Sequence, residues 1–231
     1  KKSVKEAKVV KEEPVVEKKS RPLAPWFMLL VAVLLVAAVM LIFSLGPKIR
    51  AQNDADDYNN FDFEPVDDLW KVRLEVNGVP YTIVFHHHPL ELERIPVQPG
   101  TADIVRGMSN KVAAGQDGQI LIALNPDDPA ALAMAAVDIA KVTGEKFNIL
   151  NIPTSVAMTK SSPNVDSSTP VVSCDNADED TVILWLKTKG ENLVTTAPDN
   201  PFCIVLQSTT ANESTMVADR FVYELFGIMT E

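Results

Sequence analysis

Two cysteines and three histidines are few for a chain of 231 residues, and their scarcity excludes a good deal. Cys174 and Cys203 are too far apart for a CxxC redox pair and too few for a four-cysteine zinc site. His86, His87 and His88 are consecutive, so there is no HExxH helix and no distant histidine to complete a catalytic zinc set. The chain also lacks GxGxxG, a Walker loop and GxSxG, which leaves phosphate cradles and nucleophile elbows without support. Positive charge is scarce as well. Ten of the 21 Lys and Arg, but only four of the 31 Asp and Glu, lie in the first 50 positions; residues 51–231 therefore carry 11 basic and 27 acidic side chains, a net of −16. Such a surface repels nucleic acid and anionic headgroups, so no nucleic-acid partner is expected. It suits an external or high-salt medium, a cationic partner or divalent cations, although solubility alone accounts for it.

What the chain does have is one long apolar run. Trp26 to Leu45 contains no charged residue and one polar one, Ser44. As a helix it would measure roughly 30 Å, the thickness of a bilayer's hydrocarbon core. Pro22 and Pro25 precede it or open its first turn, and Gly46-Pro47 follows as a stop. Trp26, Phe27 and Phe43 sit where interfacial aromatics belong. Residues 1–25 hold eight Lys or Arg against four Glu, which by the cytoplasmic bias of basic residues puts the N-terminus inside and the large domain outside. A cleaved signal peptide is the rival reading, but Ser44-Leu45-Gly46 is followed by Pro47, a poor residue for the cut. The expected organisation is a basic, disordered cytoplasmic tail over 1–21, a signal-anchor helix over 22–47 with residues 26–45 in the bilayer, an acidic juxtamembrane linker over 48–68, and an extracytoplasmic α/β domain over 69–231. The first residue is Lys1 and not Met, which leaves open whether the cytoplasmic part is longer.

In the external domain Trp70–Val76 and Val79–Phe85 flank Asn77-Gly78, the dipeptide suited to a two-residue type I′ turn. Counting outward pairs Val76 with Val79, Leu74 with Tyr81, Val72 with Ile83 and Trp70 with Phe85, all on one face. Pro80 then makes the second strand a sheet edge. A short helix is expected near 102–110, a buried strand over Gln119–Leu124, and a helix from Pro129 to Thr143 with Asp128 as its N-cap and Gly144 as its stop. From Pro129 to Val137 that helix has no polar side chain, so part of its surface should be covered by the rest of the domain or by a partner. Phe147–Ile152 reads as the next strand of a β-α-β unit, 160–170 as a loop, and Val171–Cys174, Thr181–Lys187 and Cys203–Gln207 as strands. Thr210-Ala-Asn-Glu213 has capping-box spacing and opens a last helix whose Val217, Phe221, Val222, Leu225 and Ile228 form one stripe. The expected fold class is thus mixed α/β (α+β), a hairpin and two strand-helix units on a mixed sheet. The two units align at an offset of 83 positions, which either a duplication or the shared grammar of strand and amphipathic helix would explain.

Few residues are candidates for chemistry. Cys174 and Cys203 are expected to form a disulfide, the alternative being two buried thiols. If the strand ran on past Phe85, His86 and His88 would share its polar face and could hold a divalent metal with Glu91, Glu93, Asp67 or Asp68, while His87 would face the core opposite Asp68; a half-exposed strand end is the plainer reading. Asn125, Asp127 and Asp128 stand between a strand and a helix, where α/β folds often place ligands, but they also spell ordinary turn chemistry. Asn212-Glu-Ser214 matches a glycosylation acceptor. No cofactor is implied. The expected function is a membrane-anchored extracytoplasmic binding or scaffold domain, partnered with another protein or with itself in a membrane or cell-surface assembly, in preference to an enzyme. The alternative is an anchored hydrolase or metal-binding enzyme using carboxylates and the His86–His88 cluster. A glycan-binding module is weaker, since of three Trp two belong to the span and the hairpin core.

Overall fold

The computed structural model describes Val33–Val36, Met40 and Asp56–Thr230. The chain divides into two units, residues 1–51 and 52–231. In the first, Val33–Val36 and Met40 are helical; the rest of the run read as a membrane span, and the basic tail before it, lie outside the described residues. No helix among the described residues is long and apolar enough to cross a membrane.

The second unit is mixed α/β, built on two sheets. The first is an antiparallel meander of β1 (Asp56–Tyr58), β2 (Phe61–Val66), β3 (Leu69–Val76) and β4 (Val79–Phe85), in that order. The β3–β4 register is the one that Asn77-Gly78 dictates, with Trp70, Val72, Leu74 and Val76 opposite Phe85, Ile83, Tyr81 and Val79. Asn77 and Gly78 both have positive φ, 53° and 80°, as a type I′ turn requires. β4 is an outer strand, in keeping with Pro80.

Of the stretch 48–68 expected to be a linker, residues 56–66 instead form the first hairpin of this sheet, and 48–55 lie outside the described residues. Asn59 and Asn60 take the left-handed conformation, φ 49° and 67°, and close a tight turn between Tyr58 and Phe61. Asp67, φ 55°, turns the chain again into β3. Asn59, Asn60 and Asp67, which look like spacer, make the turns, and Phe63 between them is fully buried.

The second sheet has the order β6-β5-β7-β9-β8. β5 (Gln119–Leu124), β6 (Thr154–Met158), β7 (Thr181–Thr188) and β9 (Asn200–Ser208) run parallel, and β8 (Leu193–Ala197), not foreseen from the sequence, pairs antiparallel to β9 at the edge. Its central strands β5, β7 and β9 read as near-continuous apolar runs because both faces are covered. Ile120, Ile122, Val182, Leu184, Leu186, Ile204 and Leu206 face the main core, which they share with the meander and the helices. Leu121, Ala123, Ala157, Ile183 and Cys203 face a smaller cluster on the other side.

Four helices complete the unit: α1 (Pro89–Leu92), α2 (Thr101–Ala113), α3 (Ala131–Thr143) and α4 (Ser214–Leu225). α3 starts two residues later than Asp128-Pro129 implies, with Ala130 at the cap position and no side-chain cap bond. Asp128 is engaged instead by the Asn125 amide, 3.5 Å away. The strand expected over Phe147–Ile152 is a turn, because Asn148 and Asn151 adopt φ 55° and 54°; the β-α-β unit is completed by β6 three residues beyond Asn151. Val171–Cys174 makes only a bridge from Val171 to Met158 before a 3-10 turn at Cys174–Asn176. The Thr210–Glu213 capping box is present, and it opens a 3-10 turn that leads into α4. At the offset of 83, Ala135, Ile139 and Val142 match Ala218, Val222 and Leu225, all buried. The strand residues do not match: Leu121 faces the small cluster whereas its counterpart Ile204 faces the main core. A duplication would keep the strands in phase, so shared grammar explains the likeness better.

Candidate functional site

The histidine triplet lies where β4 leaves its sheet. The strand ends at Phe85 because the next residues are claimed by helices. On α4, Asp219 Oδ2 accepts from the backbone N–H of His86 and of His87, both at 3.0 Å, and lies 2.9 Å from His87 Nδ1. On α3, Asp138 Oδ2 lies 3.0 Å from His86 Nε2 while its Oδ1 accepts from Lys141 Nζ at 2.7 Å. His88 turns inward. Its Nδ1 accepts from Leu90 N at 3.3 Å and its own N–H donates to Glu91 Oε1 at 3.0 Å, a reciprocal cap on α1. The His88 ring is packed edge-on against Phe63 and Trp70, with centroids 5.1 and 4.6 Å apart. Tyr223 completes the arrangement, donating its hydroxyl to the His87 carbonyl at 2.6 Å.

The three histidines are therefore each engaged by a different element. His86 and His88 do not share a polar strand face, and His87 does not sit opposite Asp68, because no strand continues there. Among the described residues there is no group of three or more His, Cys, Asp or Glu able to hold a metal ion. Asn125, Asp127 and Asp128 form the turn between β5 and α3: Asn125 Oδ1 accepts from Asp127 N at 3.2 Å, and the Asp127 carboxylate pairs with Lys160. Asn125 thus serves the turn itself, whereas Asp127 is tied to Lys160 across 33 positions of sequence. Asn212 is exposed in the 3-10 turn before α4. Cys174 and Cys203 form a disulfide with Cα atoms 5.3 Å apart. Disulfides persist in oxidising compartments, so this one suggests an extracytoplasmic domain.

The sequence did not single out Asp219. Its side chain is only 4% exposed, and burial, the largest influence, pushes its carboxyl above the ordinary value near 3.8 against the opposing pull of His87 and His86. The one available signal is its place on α4 among Val217, Ala218, Phe221 and Val222, where a charge interrupts a buried stripe. Burial, Asp219 and Glu91 likewise push the Tyr223 hydroxyl far up, so it stays a donor.

A carboxyl raised on folding holds its proton more tightly in the folded than in the unfolded chain. Its contribution to stability is complete below the unfolded value and is lost as pH rises through the folded one. The Asp219→Asn variant keeps an acceptor for the two backbone donors and does not titrate. Relative to wild type it should gain stability as pH rises from about 3.8 through that window, then run parallel to it, in denaturant titrations at a series of pH values. A constant difference between the two proteins at every pH would contradict the buried-carboxyl account.

Beside this network lies a cavity of about 250 Å³ between the free edge of β4 and α3. Ile83, Phe85, Val142, Phe147, Ile149 and Val222 give it apolar walls, and Asp138, Asp219, Lys141 and Thr82 supply the polar atoms. Outside it, α3 exposes Met134 and Val137, and the turn after it exposes Phe147, each about half accessible. Two shallower depressions meet along Val137 and Lys141, so these side chains form one surface rather than scattered apolar residues. No family model matches the sequence, and neither a curated protein nor a solved structure matches it.

Proposed function

We propose that this is a single-pass membrane protein, N-terminus in the cytoplasm, which displays residues 52–231 outside the cytoplasm as a binding domain for a protein partner. The anchor rests on the uncharged run Trp26–Leu45 and the excess of basic residues before it, and the external placement is supported by the disulfide. The observation that carries the binding reading is the exposed apolar surface of Met134, Val137 and Phe147 beside the cavity. Soluble surfaces rarely cluster large apolar side chains unless something covers them. Polar residues at these positions would cost the fold almost nothing, so the apolar choice needs another reason.

The rival reading, an anchored hydrolase, has the Asp138–His86 and Asp219–His87 pairs in its favour. Among the described residues, however, neither ring is hydrogen-bonded to a hydroxyl or thiol that it could activate. Affinity capture from detergent-solubilised native membranes tests the binding reading, with the intact protein and its Met134→Lys, Val137→Lys double variant as baits. The wild type should retain a stoichiometric partner that the variant loses, while the melting temperatures of the two stay within a few degrees. A clean monomer with nothing retained by either bait would defeat it.

A further inference from the structure

The cavity beside β4 has three properties that together define a ligand. First, it contains an unanswered carboxylate oxygen. Asp219 Oδ2 takes all three of that residue's hydrogen bonds, and Oδ1 has no donor among the described residues although the side chain lines the cavity and is 4% exposed. An oxygen that faces a cavity and has no protein donor is open to whatever donor enters. Secondly, most of the rest of the lining is apolar, and its one cation, Lys141, is already committed to the lining carboxylate of Asp138 through Oδ1. Thirdly, one wall is a strand edge. In the β3–β4 register Val79, Tyr81, Ile83 and Phe85 exchange backbone bonds with β3, so the N–H and C=O of Thr82 and Val84 point away from it, toward the cavity side. Pro80 has no N–H to offer at one end, and the His86 N–H is taken by Asp219 at the other, which leaves a short free edge.

We propose that this pocket receives a lysine side chain presented by a short extended segment of the partner protein, the ammonium meeting Asp219 Oδ1 and the segment's backbone pairing with Thr82 and Val84. The proposal rests on the binding reading above and names what is bound. A lysine fits better than the other candidates. Its four-carbon stem can lie along Ile149, Phe147 and Val222 while the charged head reaches the carboxylate. A guanidinium would seek two oxygens in a plane, and only one is free here. An anion would find two carboxylates and no uncommitted cation. The net charge of −16 over residues 51–231 draws a basic segment toward the surface. Pairing along a strand edge with one side chain in a pocket is an established mode of peptide recognition.

The test uses the intact protein in detergent micelles with labelled Val and Ile methyls, titrated with acetyl-Thr-Val-Lys-Val-Thr-amide. Saturable shifts at the Thr82 and Val84 amides and at the Val142, Ile149 and Val222 methyls are expected. Replacing the peptide's lysine by norleucine should weaken binding at least tenfold. So should Asp219→Asn, whose fold is checked by its unperturbed spectrum away from the pocket. Phe147→Ala, an exposed position that threatens the fold less, should weaken it a few-fold. Equal binding of the norleucine peptide, shifts confined to other surfaces, or no saturable binding at all would overturn the proposal. So would n-butylamine binding as tightly as the peptide, since the pocket would then take a free amine. These outcomes are separable from failure of the binding reading: a partner captured through Met134 and Val137 while lysine and norleucine peptides bind alike leaves that reading standing and removes only this one.

Discussion

Phe63→Ala should destabilise the protein by about 4 kcal/mol, the usual cost of removing a fully buried aromatic ring. Phe63 lies on β2, opposite Val72 on β3 and Asp56 on β1, and none of its surface reaches solvent. Its ring stands edge-on to His88, 5.1 Å between centroids, and to Tyr223 at 5.8 Å. Through this one side chain β2 meets both the histidine corner and α4, beside the contacts that Trp70 of β3 makes with His88 and Phe85 of β4 with Tyr223. The loss should show as a lower midpoint in denaturant with an unchanged slope, since the same surface is exposed on unfolding. Phe61→Ala, two residues away and only partly buried, is the control and should cost less than half as much. Equal, small effects at both positions would mean that the first hairpin is an appendage and the domain begins at β3. The same logic predicts that a chain starting at residue 69 would leave an open slot between His88 and Tyr223. The Asn59 side chain, which donates to the Ile228 carbonyl at 3.0 Å, would also be gone from the C-terminal end.

That hairpin marks the limit of what could be read from sequence. The β3–β4 pair was legible to the residue because Asn77-Gly78 fixes both turn type and register, and a one-residue slip would have turned Val72 and Leu74 to solvent. β5, β7 and β9 announce themselves as apolar runs, and α4 by its stripe. β1, β2 and β8 hold Asp, Glu or Thr among few apolar residues and lie at or near sheet edges, so no apolar run announces them. The turn at 147–152 was mistaken for a strand because its Phe and Ile residues outweighed two Asn residues that prove to be left-handed. The site was the least legible part. His86 meets Asp138 and His87 meets Asp219 across 52 and 132 positions of sequence, and no local pattern reports a contact of that range. The triplet drew attention as a metal candidate; its role in the fold, joining β4 to α3 and α4, depends on partners that only the packed structure supplies.

Removing the disulfide should cost about 3 kcal/mol, because closing a loop of 29 positions restricts the unfolded chain by roughly that amount. The location makes the loss more than an entropy effect. Cys203 is fully buried on the less protected face of the second sheet, in a cluster of small size compared with the main core. That face is covered by the segment between β6 and β7, which contributes Val172 and Ala177 and is held at its end by two bonds from Asn200 Nδ2, to the Cys174 and Ala177 carbonyls, each 2.8 Å. With both cysteines changed to Ala, the segment keeps those two hydrogen bonds and its bridge to Met158 but loses the covalent tie to β9. Its opening would expose Leu121, Ala123 and Ile183, so local unfolding should precede global unfolding. Hydrogen exchange should therefore quicken first in the amides of residues 171–177, and the denaturant midpoint should fall by the amount stated. Wild-type protein kept in reducing buffer should behave as the double variant does. A midpoint unmoved by either treatment would show that the packing alone holds this face, and the external placement of the domain would lose its structural support.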